Sequence, residues 1–163
     1  MKLMIKKSNK ELRYKHIEAA VFAVAGVQPE AIRAFRARLR HLRNIGLPEL
    51  PSSGSGKHIV YSRRQALEIL IALQMENIGH KPQSAAIISQ SIVRQSPYGQ
   101  HQGNDCYVIA SAPSEGRPEY KMMYGLVDAP KIMKSGPDIF TVVNVSALIR
   151  KLNMMFDRSP DNI

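Results

Sequence analysis

The sequence predicts an α+β protein in which a mainly helical, basic first half precedes a small β-rich segment ending in a helix. Three observations carry that prediction. Apolar residues recur at three- and four-residue spacing in successive stretches up to Arg94. Three β-branched and aromatic runs follow, separated by Pro/Gly turns. The charge is also lopsided. The 163 residues carry a net +10, with 15 basic against 6 acidic residues through Lys81 and 8 against 7 beyond it. Such an imbalance points to a polyanion-binding half followed by a neutral one.

Residues 1–15 are basic and polar and read as an N-terminal arm. His16 to Gly26, HIEAAVFAVAG, reads as a short buried helix with a glycine stop. Val27-Gln28 makes a tight turn. Pro29 and Glu30 then suit the first turn of a second helix, where a missing N–H is harmless and a carboxylate meets the positive dipole end. That helix runs from about Pro29 to Asn44 and stops near Gly46. Ile32, Phe35, Leu39 and Leu42 form its core stripe. Arg33, Arg36, Arg40 and Arg43 repeat the same spacing one residue on, so the four lie within an arc of about 80°.

Leu47 to Gly56, LPELPSSGSG, cannot continue a helix, and Lys57 to Tyr61 reads as a short strand. Ser62 suits the N-cap of a long helix from Arg63 to Asn77, which closes at Ile78-Gly79. Another helix is expected from Gln83 to Arg94. Residues 96–105 form the clearest linker in the chain. Strands are expected at Cys106–Ala112, Tyr120–Val127 and Ile139–Val145. Ser146 then caps a last helix, Ala147 to Phe156. The organisation is therefore an arm at 1–15, a helical domain at 16–95, a linker at 96–105 and a small module at 106–163.

Helix, turn, arginine-striped helix, Gly/Ser loop, short strand and long helix follow one another in an order that resembles the winged helix-turn-helix of the MerR family of bacterial transcriptional regulators. The resemblance spans roughly residues 17–88. Gly26 to Arg33 looks like that family's turn into its recognition helix, and Gly46-Leu47-Pro48 like its end. Tyr61-Ser62 before Arg63-Arg64-Gln65-Ala66-Leu67 looks like the passage from the wing into the third helix. Ala34-Phe35 stands where the family has an aromatic pair, and Ile59-Val60 where its wing carries an arginine. The resemblance implies a sequence-specific regulator that binds double-stranded DNA without catalysis.

The residues support the same chemistry independently. A helix fits the major groove with its N-terminal residues at base edges and later ones at phosphates. Gln28, Glu30 and Arg33 occupy the former positions. Arg36, Arg40 and Arg43 supply guanidinium forks that match phosphate geometry. Lys57 and His58 end the loop expected to serve as a wing. Tyr61, Arg63 and Arg64 stand at a helix N-terminus, where backbone N–H groups also favour phosphate. Two other readings stay open: an adaptor whose basic face meets an acidic protein, and an RNA-binding protein.

Enzyme chemistry finds little footing, and neither a cofactor nor a metal is expected. His16, His41, His58, His80 and His101 are scattered without metal-ligand spacing. The lone Cys106 excludes a disulfide framework and reads as a buried structural thiol. Ser53 to Lys57 lacks the spacing of a phosphate-binding loop. Ile17 to Val27 carries Glu18 and is too short to cross a bilayer, and the N-terminus has no apolar core of a secretory signal, so a cytoplasmic setting is expected. Leu148, Leu152 and Met155 lie on one side of the last helix and suggest a homodimer built through residues after Cys106. The segment 106–163 is also where a protein or small-molecule effector would bind.

Overall fold

The computed structural model describes residues 12–50, 59–96, 105–111, 120–125 and 140–158. Among these it holds five α-helices and a three-stranded antiparallel sheet, so the α+β class is as expected. The helices are α1 (Tyr14–Ala25), α2 (Ile32–Asn44), α3 (Arg63–Asn77), α4 (Pro82–Gln95) and α5 (Val145–Asp157). The strands are β1 (Cys106–Ser111), β2 (Tyr120–Tyr124) and β3 (Phe140–Asn144), in the order β2-β1-β3.

Local chemistry sets most of these boundaries. Gly26 closes α1 at φ 64°, with its own N–H on the Ala23 carbonyl and that of Val27 on Phe22. Gly46 closes α2 at φ 90° in the same way, with Gly46 donating to Arg43 and Leu47 to Leu42. Only glycine adopts this left-handed turn cheaply, and the two extra bonds satisfy carbonyls the helix would leave orphaned. Ser62 caps α3 as expected. Its hydroxyl accepts from the Gln65 N–H, while Gln65 Oε1 accepts from the Ser62 N–H at 2.8 Å.

Three features differ from expectation. Residues Pro29–Ala31 form a 3-10 turn ahead of α2. The expected strand at Lys57–Tyr61 is, over its described part, a single antiparallel bridge between Leu12 and Tyr61, closed by Tyr61 N–H donating to Leu12 carbonyl at 2.8 Å. The loop Ser52–Gly56, with Lys57 and His58, lies outside the described residues, as do residues 1–11 and 97–104. Last, α5 starts one residue before the expected cap. Asn144 caps it through its side-chain oxygen on the Ala147 N–H, and the Ser146 hydroxyl instead accepts from the Cys106 N–H at 2.8 Å.

The core is continuous across the chain. α3 supplies its centre, with Leu67, Leu70, Ile71 and Met75 all but fully buried, and α4 packs along it through Ile88, Ile92 and Val93. α1 contributes Ile17, Ala20 and Val21, and α2 contributes Phe35, Leu39 and Leu42. Strand alternation turns Cys106, Val108 and Ala110 of β1 into this same core, with Val143 of β3 beside Val108. Tyr107, Ile109 and Met123 face the other way and form a small second cluster. His80, buried in the α3–α4 turn, donates through Nε2 to the Ser111 carbonyl at 2.9 Å and so ties the helices to the sheet.

Helix α5 returns to pack on α1 and α3. Leu152 is fully buried there, Ile149 nearly so, and Leu148 and Met155 pack partly buried against the same core. Of the three residues read as a dimer stripe, Leu152 is thus buried within the chain and Leu148 and Met155 are partly so. That corrects the expectation for Leu152 in particular, which has no surface to offer a second copy. Residues 105–158 share one core with residues 12–96, and the polar stretch at 96–105 marks a change of composition.

Candidate nucleic-acid interface

Helix α2 owes its position to two flanks with different tasks. Its apolar stripe buries Phe35, Leu39 and Leu42. Beside that stripe Arg38, which the spacing analysis passed over, reaches the C-terminal end of α3. It bonds Glu76 at 2.9 Å, the Leu73 carbonyl at 3.3 Å and Asn77 at 3.1 Å. Its signal was available, since 100° per residue puts Arg38 well off the arginine arc. Arg38 therefore braces the helix, and the four stripe arginines are left on the outside.

Those four are all exposed but are not equivalent. Arg33 and Arg40 have no ion pair among the described residues. Arg36 donates through Nε to Glu18 of α1 at 2.6 Å. Arg43 lays its guanidinium over the Tyr14 ring, 4.1 Å from the centroid. Tyr14 in turn meets Tyr61 at 5.6 Å between ring centroids, so the stack runs from the surface into the core. Burial pushes the Tyr14 phenol above its usual range, with Arg43 pulling the other way. Tyr14 is the neighbour of the arginine row that spacing alone did not find.

Gln28 and Glu30 are exposed on the turn into α2, and the Gln28 amide bonds the Gly26 carbonyl at 3.4 Å. They precede Arg33, the first of the arginine row, along the chain. The remaining candidates at the start of α3 do not join them. Tyr61 is buried, only 5% exposed, under Tyr14. Arg63 is turned to α5, where it pairs with Asp157 at 2.6 Å and Asn153 at 3.0 Å. Arg64 donates to the Val93 carbonyl of α4 at 2.7 Å. These three hold elements of the chain together, because each found an internal partner distant in sequence.

Cys106 is fully buried and its thiol is pushed up by that burial, which leaves it little thiolate for reaction. No group of three or more His, Cys, Asp or Glu residues that could hold a metal ion occurs among the described residues. Nor is any described helix long and apolar enough to cross a membrane. Comparison with protein-family models and with curated proteins finds no match to this chain.

Proposed function

We propose that this chain binds double-stranded DNA through the outer face of α2 and acts as a transcriptional regulator of winged helix-turn-helix type. One observation carries the reading. α2 has five arginines and no acidic residue, and four of those arginines point away from the core along one side. A solvated face needs no such uniformity of sign, whereas phosphate contact does. The approach from α1 through Gly26–Gln28 and the 3-10 turn supports it, since Gln28, Glu30 and Arg33 then lead the helix where base edges would be read. The Leu12–Tyr61 bridge supports it too, since it puts extended backbone directly ahead of α3, where such a fold has the strand that leads out of its wing.

Titration of a labelled random-sequence duplex against the full chain at several salt concentrations tests the proposal. With Arg63 and Arg64 engaged internally, the four stripe arginines and any contribution from Lys57 give a log–log slope of about −3 to −5. Absence of duplex binding at low salt ends it. A structured RNA that competes on equal terms would move the reading to RNA. We further propose a homodimer on a two-fold related operator, without assigning its interface to Leu148, Leu152 or Met155.

A further inference from the structure

We propose that the cleft at the C-terminal end of α2 is a seat for a single phosphate group, gripped between the guanidinium groups of Arg40 and Arg43. The cleft encloses about 220 Å³ and is lined by Arg40, Arg43, Asn44, Pro48, Leu50 and Tyr61. Two of the six carry charge, both positive, and no carboxylate is among them. A helix C-terminus normally repels an anion through its free carbonyls. Here the Leu42 and Arg43 carbonyls are already occupied, by the Leu47 N–H at 2.9 Å and the Gly46 N–H at 3.0 Å. The glycine turn that ends the helix therefore also occupies two of its terminal acceptors.

Both arginines are ready for a ligand. Arg43 sits over the Tyr14 ring and hydrogen-bonds that side chain, and a guanidinium with five N–H donors keeps others for a ligand. Arg40 takes no ion pair among the described residues. Asn44 adds an amide donor at the rim, and Pro48, Leu50 and Tyr61 supply an apolar wall that strengthens the charge attraction. Two guanidinium forks and an amide side chain lining one cleft match the several oxygens of a phosphate better than the two of a carboxylate. The phosphate can belong to a duplex backbone, in which case the inference rests on the DNA-binding reading, or to a free phosphate or phosphomonoester.

Inorganic phosphate titrated into the full chain, followed by NMR of the arginine Nε–Hε signals, tests the seat against chloride at matched ionic strength. The Arg40 and Arg43 signals shift and saturate with phosphate and not with chloride. Arg40→Gln and Arg43→Gln each weaken the apparent phosphate affinity about tenfold, the loss of one charge-assisted contact, while the charge-matched Lys121→Gln on the sheet leaves it unchanged. Unsaturable shifts of equal size at all exposed arginines overturn the seat, and so does an unchanged affinity in Arg43→Gln. Adding duplex separates the sources. Displacement of phosphate from Arg40 and Arg43 identifies a backbone phosphate as the occupant. Duplex binding without displacement overturns that source while the DNA-binding reading stands. Saturable phosphate without any duplex binding sinks the DNA-binding reading and keeps the cleft as a site for free phosphate.

Discussion

Nε of Arg36 donates to Oε1 of Glu18 over 2.6 Å, bridging α2 to α1 in the middle of the arginine row. Glu18 is thus an internal competitor for whatever anion the row binds. A phosphate reaching Arg36 must displace a carboxylate that is itself mostly covered, whereas a phosphate reaching Arg33 or Arg40 displaces only water and counterions. Such an exposed pair adds little stability, at most about 1 kcal/mol. Glu18→Gln is therefore expected to leave the melting temperature almost unchanged. It should strengthen duplex binding about two- to tenfold at low salt and steepen the salt slope by about 1. Anisotropy titrations of both proteins at several salt concentrations check this, and a weaker-binding Glu18→Gln would remove the competitor role.

The stripe arginines and the α3 arginine should separate cleanly by substitution. Arg63 spans α3 and α5 through Asp157 and Asn153, and its guanidinium lies 5.6 Å from the Phe156 ring centre. Arg63→Ala is expected to lower stability by up to about 1 kcal/mol, because both ends of the pair are partly exposed, with duplex affinity retained. Arg40→Ala is expected to do the reverse, with an unchanged melt and weaker binding to every duplex sequence alike. Urea melts and duplex titrations on the two variants decide it. Binding lost in Arg63→Ala at full stability would return α3 to the interface.

Sequence alone disclosed the parts of this molecule that depend on near neighbours. Gly26 and Gly46 mark helix ends because a left-handed residue is a local need, and Ser62 with Gln65 forms a cap within one turn. The arginine arc was legible for the same reason, since helical spacing alone defines it. Asn144 was missed as a cap because it also ends a strand, and the serine two residues on offered equal chemistry. The fates of Arg63, Arg64 and Tyr61 were hidden. Their partners Asp157, Val93 and Tyr14 lie 94, 29 and 47 positions away in sequence, and nothing in local pattern ranks an internal carboxylate or carbonyl against a phosphate. Leu152 misled in another way. An apolar stripe fits a dimer or a core equally well, and only the return of α5 onto α1 and α3 chooses.

That choice has a direct test. Leu152→Ala removes a fully buried side chain and should cost about 2–5 kcal/mol. The double change Leu148→Glu and Leu152→Glu would put a carboxylate in the shared core beside α1 and α3, and is expected to unfold the helical half along with the sheet. Circular dichroism with light scattering reads both. A folded monomer of native helix content in the double variant would restore these leucines to a subunit interface.

Glu68 gives the clearest dependence on pH. It lies on α3 at the edge of a cleft with Glu49 and Gln65, and its Oε2 is buried without a hydrogen-bond partner. Burial raises its carboxyl above the ordinary glutamate value, while Arg64 and Arg94 oppose the rise and Glu49 adds to it. The sign follows from linkage. A carboxyl with a higher pKa folded than unfolded favours the folded state where it is protonated, and that contribution is lost as pH rises through the folded value. At neutral pH Glu68 is therefore a charge held against its desolvation cost. Glu68→Gln, which keeps the shape and discards the charge, is expected to melt higher than the parent at pH 7. The difference should shrink as the pH falls and the parent's own carboxyl gains its proton. Thermal melts of both proteins from pH 4 to 8 provide the measurement. A variant less stable at pH 7 would mean that attraction to Arg64 and Arg94 outweighs the burial of the charge.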